Sequence, residues 1–303
     1  MDSGFLIQFQ GGLTLQEKTL LSQIFPQTQE LLKITPQDQE EILGRRLQRS
    51  TWNLRDRWSE AARSWEYLEK NSIKTLKWED LSYPAQLKEI YDPPFRIYYR
   101  GERPAWDAPL LGLVGTRQPT EKAKKLAFEL GKQSGEAGIW TVSGLARGID
   151  EAVHRGTLEG GGKTLAVLAC GLDQVYPKSN SALARRILED RGCLLSEYPP
   201  LTPPYKYHFP QRNRIISGLS RGVVLVQAPV KSGALITTSL ALEQGRDVFV
   251  CPEGFHPLVG SGGERLEQDG AVSIHSVRQI LDNWDRLETR EKISPYGGRQ
   301  WTA

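Results

Sequence analysis

Residues 110–150 read LLGLVGTRQPTEKAKKLAFELGKQSGEAGIWTVSGLARGID, and this stretch decides the fold. Residues 110–114 are an apolar run followed by a glycine, the pattern of a buried parallel strand. Apolar residues at helical spacing follow, and Gly138 ends that pattern before a second apolar run at residues 139–142. The order strand, helix, strand predicts one βαβ unit of a doubly wound, mostly parallel α/β sheet.

Short apolar runs continue to alternate with helical patterns after residue 150, which extends the predicted sheet. We expect further strands at residues 163–168, 193–196, 222–226, 247–251 and 271–274, with an added edge strand at residues 95–99.

The segments on either side of this sheet differ from it in composition. Residues 1–80 contain little glycine after Gly12, many Gln and Glu residues and apolar residues at helical spacing, which predicts a small all-helical domain. The end of the chain is polar, which predicts a flexible tail. We therefore expect a helical domain at residues 1–80, an α/β domain at residues 81–285 and a tail at residues 286–303.

Composition limits the function and the compartment. The 303 residues carry a formal net charge of +3, so a nucleic-acid surface has to come from local clusters of basic residues. Cys170, Cys193 and Cys251 show no CxxC spacing, and we expect buried free thiols in a reducing compartment. The N-terminus lacks the basic start of a signal peptide, and no stretch reaches the roughly 18 apolar residues of a membrane span. We therefore expect a cytoplasmic protein with no membrane partner.

Small or polar turns follow four of the predicted strands. They are Gly115-Thr116-Arg117, Ser143-Gly144, Cys170-Gly171 and Ser232-Gly233. Because the carboxyl ends of parallel strands meet at one edge of a sheet, these turns predict a continuous cleft for an anionic ligand. Backbone N–H groups at helix N-termini and the guanidinium groups of Arg117 and Arg147 suit a phosphate. The alternative is that the glycines only permit tight turns between strands and helices.

A second cluster, residues 205–214, alternates aromatic and basic side chains and reads YKYHFPQRNR. In such a cluster the charges follow the phosphates of a single nucleic-acid strand while the rings accept its bases. The alternative is a solvated loop whose arginines pair with Glu197 or with aspartates.

No known catalytic signature stands out in the sequence. Asp150 and His154 lie one helical turn apart, and they form either an oriented base or a packing pair that fixes the helix. The GGKT sequence at residues 161–164 lacks the upstream glycine of a phosphate-binding Walker A loop and precedes a strand. None of these patterns identifies a catalytic residue, a metal site or a cofactor site.

Several longer motifs occur in the same order as in a known family. They are VGTRQPT (114–120), SGLARGIDEAVHRGTLEGGGKTLAVLACGLDQVYPKSN (143–180), LLSEYPP (194–200), FPQRNRIISGLSRGVVLVQAP (209–229) and SGALITTSLALEQGRDVFVCPEG (232–254). On these motifs the chain resembles the DNA processing protein A (DprA/Smf) family, colinearly over about residues 83–275. Residues 1–80 match the family only in forming a helical N-terminal domain.

The resemblance implies an extended Rossmann-like fold that binds single-stranded DNA without base specificity. Members of the family act as homodimers in natural transformation, or competence, where they protect incoming strands and load the RecA recombinase. They have no established catalytic reaction, so the resemblance implies a DNA-binding protein for DNA processing and recombination, with no cofactor, and not an enzyme. The DNA-binding residues carried over are Gly115, Thr116, Arg117, Ser143, Gly144, Arg147, Lys178, Phe209, Arg212, Asn213, Arg214 and Lys231.

The sequence departs from the family pattern at three places. Gln227 stands where the family usually has Glu, and Glu253 interrupts the usual Pro-Gly pair. Residues 260–264 (GSGGE) replace the common Gly-Ser-Asn or Gly-Thr-Asn. We also expect the winged-helix domain of many members to be absent. The alternative function is a nucleotide-binding enzyme or sensor of a related Rossmann-like fold, with Glu197 or Asp150 as its carboxylate. A third hypothesis is an interaction scaffold whose N-terminal helices hold a protein partner.

Overall fold

A computed structural model describes residues 1–47 and 54–293. All eight strands expected from the sequence are present, with ends within two residues of the expected ones, and β1 is added to them. The strands are β1 (Lys74–Lys77), β2 (Arg96–Gly101), β3 (Leu110–Gly115), β4 (Trp140–Ser143), β5 (Thr164–Leu168), β6 (Cys193–Ser196), β7 (Gly222–Gln227), β8 (Asp247–Val250) and β9 (Val272–Ser273).

The helices alternate with the strands after residue 110 and are grouped before it. They are α1 (Ser3–Ile7), α2 (Leu15–Ile24), α3 (Thr28–Leu31), α4 (Pro36–Leu43), α5 (Leu54–Lys70), α6 (Ala85–Lys88), α7 (Glu121–Glu136), α8 (Ile149–Glu159), α9 (Ser181–Glu189), α10 (His208–Leu219), α11 (Gly233–Glu243), α12 (Ser261–Gln268) and α13 (Val277–Ile293). Short 3-10 helices lie at Lys178–Asn180 and Pro252–Gly254.

The chain folds as two compact units, each built from two separate segments. The first unit comprises residues 1–108 and 165–219, and the second comprises residues 109–164 and 220–303. In the first unit the strand order is β1-β2-β6-β5, with a parallel pair only between β5 and β6. In the second unit the order is β4-β3-β7-β8-β9, and these pairs are parallel. The predicted mostly parallel α/β fold is confirmed.

The core of the second unit explains why helices cover its strands on two faces. Alternate strand residues, among them Leu111, Val224 and Phe249, join α7, α8 and α13 in one buried apolar cluster. The strand residues between them point to the opposite face, where α11 packs against β7 and β8 and buries Ala234 and Thr238. Helices on both faces of parallel strands are the doubly wound arrangement that the sequence predicts.

Helix α7 shows how the sequence sets the limits of these elements. The Thr120 side chain caps its start by accepting a hydrogen bond from the Ala123 N–H. Ala123, Ala127 and Leu130, at helical spacing, are its buried face. Gly138, with a φ of +71°, ends the helical segment before β4, as expected.

The N-terminal region is helical as predicted, but it also contributes a strand to the first unit. Strand β1 pairs antiparallel with β2, so β2 is an inner strand and not the edge strand that we expected. The sequence of β1, KTLK, has one apolar residue and shows no strand pattern. Helix α1 also contacts β2, because Asp2 at the start of the helix binds the buried Arg96 of β2 at 2.6 Å.

The last helix, α13, continues to Ile293, although we expected a flexible tail from residue 286 onward. Residues 286–293 include no glycine or proline that would end the helix, and the next proline in the sequence is Pro295. Residues 294–303 lie outside the described residues, as do residues 48–53 of the predicted helical domain, which include Trp52. The domain boundaries at residues 80 and 285 stay predictions.

Among the described helices, none is both long and apolar enough to cross a lipid bilayer.

Candidate nucleic-acid interface

The turn between β3 and α7 is held by hydrogen bonds on both sides of Thr116. The Thr116 N–H donates to the Gln227 carbonyl at 2.8 Å, and the Thr116 carbonyl accepts the N–H of Ile149 at 3.2 Å. Gly115 is required because a Cβ there would lie 2.5 Å from the Ile149 side chain. The turn is therefore fixed, and Arg117 extends from it as an exposed residue.

Arg117 and Arg147 lie on stretches of backbone that are in contact. Gly148, directly after Arg147, has a φ of +83°, and a Cβ on it would lie 2.5 Å from the Thr116 carbonyl oxygen and 2.8 Å from the Arg117 carbonyl carbon. Only glycine permits this approach. The second unit thus brings two exposed arginines of the predicted site together at the carboxyl ends of β3 and β4.

Lys231 adds a third cation on the same edge of the second unit. It is exposed in the loop after β7, the strand that pairs with β3. The following residue, Ser232, caps helix α11 by accepting the Ala234 N–H at 3.2 Å. The carboxyl ends of three neighbouring strands, β4, β3 and β7, therefore each lead to a basic residue.

The turn after β4 does not present its backbone N–H groups to a ligand, contrary to our expectation. The buried Asp150 carboxylate accepts the N–H of Gly144 at 3.1 Å and that of Ala146 at 3.3 Å. The Ser143 hydroxyl is fully buried and donates to the Leu113 carbonyl at 2.7 Å. These two N–H groups thus bond to a side chain of the protein, and Ser143 and Gly144 shape the turn that carries Arg147.

The hydrogen bonds of Gln227 explain why this chain has glutamine where the family usually has glutamate. Its side-chain amide accepts the Thr120 N–H at 2.8 Å and donates to the Gly254 carbonyl at 2.8 Å. An ionised glutamate has no N–H to donate to that carbonyl. The amide therefore ties the turn after β3 to the segment after β8, where Glu253 is the inserted residue.

Helix α10 begins at His208, so Phe209 and the basic residues after it are helical. Helical spacing puts His208, Arg212 and Ile216 on the buried face. Arg212 is only 5% exposed, and its guanidinium donates to the Val167 carbonyl in β5. Arg212 therefore anchors the helix to β5, in place of the exposed phosphate contact that we expected, and Asn213 accepts a hydrogen bond from its Nε at 3.3 Å.

Arg214 lies in a cluster of charges in the first unit. Its guanidinium donates to Glu197 at 2.5 Å and to Asp92 at 3.3 Å. Burial lowers the pKa of Arg214, but the two carboxylates outweigh this effect and raise it. Burial lowers the pKa of Lys18, which faces the same carboxylates. The pairing of Arg214 is the alternative that the sequence left open.

Two aromatic rings meet at the first turn of α10, and two exposed lysines lie near them in the sequence. The Phe209 ring meets that of Tyr176, which is 48% exposed, with 5.4 Å between their centroids. Lys178 and Lys206 are exposed close to them in the chain. Tyr176 and Lys206 were not among the predicted site residues. The alternation in residues 205–209 already indicated Lys206, whereas only the fold brings Tyr176 to Phe209.

The candidate acid–base residues have structural contacts. His154 is fully buried, and its Nδ1 lies 2.7 Å from the Thr164 hydroxyl. Asp150 holds the turn after β4, as described above. The arrangement is the packing alternative that the sequence left open, in which both side chains fix helix α8.

Comparisons with known proteins test the resemblance. Residues 74–285 match the family model of DNA recombination-mediator protein A. The DNA processing protein DprA of Bacillus subtilis is 42% identical over 214 residues, which cover 70% of this chain and 72% of that protein. The DprA of Streptococcus pneumoniae is also 42% identical, over 206 residues that cover 68% of this chain and 72% of that protein.

Two solved structures share the fold. The X-ray structure of DNA processing protein A from Streptococcus pneumoniae matches with a TM-score of 0.76 and 33% identity, covering 93% of this chain and 98% of that one. A structure of the same protein from Helicobacter pylori, described for its single-stranded DNA binding mode, matches with a TM-score of 0.63 and 29% identity, covering 71% and 96%. Because the family model spans most of the chain and these relatives share its fold, this chain belongs to the DNA recombination-mediator protein A (DprA/Smf) family, as its motifs predict.

Proposed function

We propose that this protein binds single-stranded DNA without sequence preference, protects incoming strands and loads RecA onto them during natural transformation. Family membership supports the proposal, as does the single-stranded DNA binding described for the Helicobacter pylori relative. The protein acts by binding, with no catalytic step and no cofactor. The three free cysteines are buried, which suits the reducing cytoplasm in which we place it.

The observation that carries the proposal is the contact between the turns that bear Arg117 and Arg147. The Gly148 position fixes their separation, because a Cβ there would lie 2.5 Å from the Thr116 carbonyl oxygen and 2.8 Å from the Arg117 carbonyl carbon. Guanidinium groups match phosphate oxygens in geometry and charge. Phosphate contacts fix a nucleic acid in place and carry no sequence information, which accounts for binding without base specificity.

The first unit, taken by itself, also carries groups that suit single-stranded DNA. Its exposed lysines, Lys178 and Lys206, suit phosphates, and the neighbouring rings of Tyr176 and Phe209 suit bases. A duplex keeps its bases stacked inside, so rings of this kind select single strands. Arg212 and Arg214 act in this proposal by positioning α10, because both are engaged within the first unit.

A nucleotide-processing enzyme is less well supported than a binding protein. That alternative requires a carboxylate near the phosphate turn, and Asp150 and Glu197 are its candidates. Asp150 holds the N–H groups of its own turn, and Glu197 holds Arg214. Both carboxylates thus serve the fold.

Fluorescence anisotropy with a labelled dT oligonucleotide and a duplex of equal length tests the proposal. We expect the single strand to bind and the duplex to bind much more weakly, and we expect dA and dC strands to compete. Equal binding of the duplex, or no binding at low salt, would contradict the proposal. Release of free base from a nucleoside monophosphate would favour the enzyme alternative instead.

We also propose that the protein is a homodimer and that α11 belongs to its contact surface. Ile236 and Leu242 on α11, with Val230 just before it, are each more than 40% exposed. A contiguous apolar surface marks a protein contact, and these residues are our candidates for one. Sedimentation velocity tests the point: Ile236→Glu is expected to give monomers where the unchanged chain gives dimers. A wild-type monomer at micromolar concentration would contradict it.

Filament formation by RecA on the labelled strand, with and without the protein, tests RecA loading.

A further inference from the structure

Two tyrosines just before α10 are exposed in an ordered pair. Tyr205 is 47% exposed and Tyr207 is 59% exposed. Their rings are parallel within 5°, and their centroids lie 5.5 Å apart. Exposed tyrosine rings are enriched at binding surfaces, where the apolar ring meets a partner and the hydroxyl stays in contact with water. Neither tyrosine is among the site residues carried over from the family.

A buried histidine holds this pair in place. The His208 ring is stacked on Tyr198 at 3.7 Å, and its Nδ1–H donates to the Ala169 carbonyl at 3.2 Å. The same ring meets the Tyr205 ring at 5.2 Å and the Tyr207 ring at 4.6 Å, both nearly edge-on. Burial lowers the pKa of His208, so the ring stays neutral at pH 7. The tyrosines therefore rest on a rigid, uncharged support.

The backbone adds to the order of the pair. The Tyr205 N–H donates to the Pro203 carbonyl at 3.0 Å, and the His208 N–H donates to the Tyr205 carbonyl at 3.0 Å. Residues 205–208 thus form a turn that leads into α10. Lys206, which lies between the two tyrosines in the chain, is exposed and carries a positive charge. A ring pair with an adjacent cation is the combination that accepts one or more bases together with their phosphate.

We propose that Tyr205 and Tyr207 form a base-stacking platform, separate from the Tyr176–Phe209 rings, that lengthens the single strand covered by the protein. This inference rests on the proposed function. Stacking uses the π-face that every base has, so the platform raises affinity without adding sequence preference. Its ligand is one or two unstacked bases of the same DNA strand.

The test compares a dT strand with a strand of equal length made of abasic nucleotides, which keeps the phosphates and removes the bases. The double variant Tyr205→Leu, Tyr207→Leu removes the rings, and the double variant Tyr205→Phe, Tyr207→Phe keeps them as the matched control. We expect the leucine variant to bind dT about tenfold more weakly, the loss typical of one stacked base, and to bind the abasic strand like the unchanged protein. The phenylalanine variant is expected to bind both strands normally.

Two results would overturn the platform. One is a leucine variant that binds dT as the unchanged protein does. The other is an equal loss of affinity for dT and for the abasic strand, which would mean that the tyrosines support the fold around His208. Failure of the unchanged protein to bind dT at all would refute the proposed function itself, so the two failures are distinct.

Discussion

At the scale of single residues, burial decides what each arginine of the predicted site does. Arg117 and Arg147 are exposed on fixed turns, whereas Arg212 and Arg214 are held inside the first unit. The sequence shows that all four are basic, but it does not show which carboxylate or carbonyl each one meets. Asp92 lies 122 positions before Arg214, and no spacing rule connects them.

The Arg214 cluster predicts that its two carboxylates differ in importance. The Glu197 side chain is 14% exposed and that of Asp92 is 69% exposed. Glu197→Gln leaves a buried guanidinium without its main counter-charge, and we expect it to lower the free energy of unfolding by about 3 kcal/mol. The matched change Asp92→Asn should cost less than about 1 kcal/mol. Urea unfolding of both variants measures this, and equal costs would contradict the assignment.

Glu17 predicts a pH dependence of stability. Its carboxylate accepts hydrogen bonds from Arg45, chiefly, and from Thr14, which lower its pKa from 4.5 to about 2. A carboxyl group with a lowered pKa stabilises the fold above its unfolded value and loses that contribution as the pH falls through its folded value. Glu17→Gln is therefore expected to lower the melting temperature at pH 7 by an amount that shrinks between pH 4.5 and about 2. A difference in melting temperature between the variant and the unchanged protein that stays constant down to a pH of about 2 would contradict this.

At the scale of elements, the sequence predicts best those strands and helices whose signals lie within their own residues. The strands of the parallel sheet are apolar runs, and α7 carries its own cap and stop signals, so both could be predicted. Strand β1 and the start of α10 at His208 could not be predicted. Strand β1 is specified by its pairing with β2, and α10 starts at His208 because that ring is held by Ala169 and Tyr198.

The contact between the two arginine-bearing turns predicts a specific effect of Gly148→Ala. A Cβ at this position would lie 2.5 Å from the Thr116 carbonyl oxygen, so the turns must separate. We expect weaker binding of dT together with lower stability. Gly161→Ala is the matched control, because Gly161 also has a positive φ, of +70°, but no heavy atom of the described chain lies within 4 Å of its Cβ position. It should cost about 1 kcal/mol of stability and leave DNA binding unchanged. Equal losses of DNA affinity in both variants would contradict the role of the contact.

At the scale of the whole molecule, residues 1–80 share a compact unit with β2, β5 and β6. Arg96 is 1% exposed and binds Asp2, and the Ser64 hydroxyl donates to the Pro200 carbonyl at 2.7 Å. Composition distinguishes these residues from the α/β region, but it does not reveal contacts that join distant segments. The N-terminal helices thus support the segment that leads into α10.

Hydrogen exchange tests this account of the N-terminal region. Strand β1 pairs with β2 through Thr75 and Leu76, so we expect amides of both strands to exchange at similar, slow rates. Fast exchange across Lys74–Lys77 with slow exchange in β2 would show that the N-terminal region opens independently. That result would favour a separate helical domain ending near residue 80.

The most direct test of the central claim is the salt dependence of dT binding by the Arg117→Ala, Arg147→Ala double variant. Each phosphate contact to a single strand contributes about 0.7 to the slope of log K against log salt. Losing two contacts should lower the slope by about 1.4 and weaken binding at every sequence tested, while Lys125→Ala, an exposed control on α7, should change neither. An unchanged slope and affinity in the double variant would show that the strand does not bind at these turns.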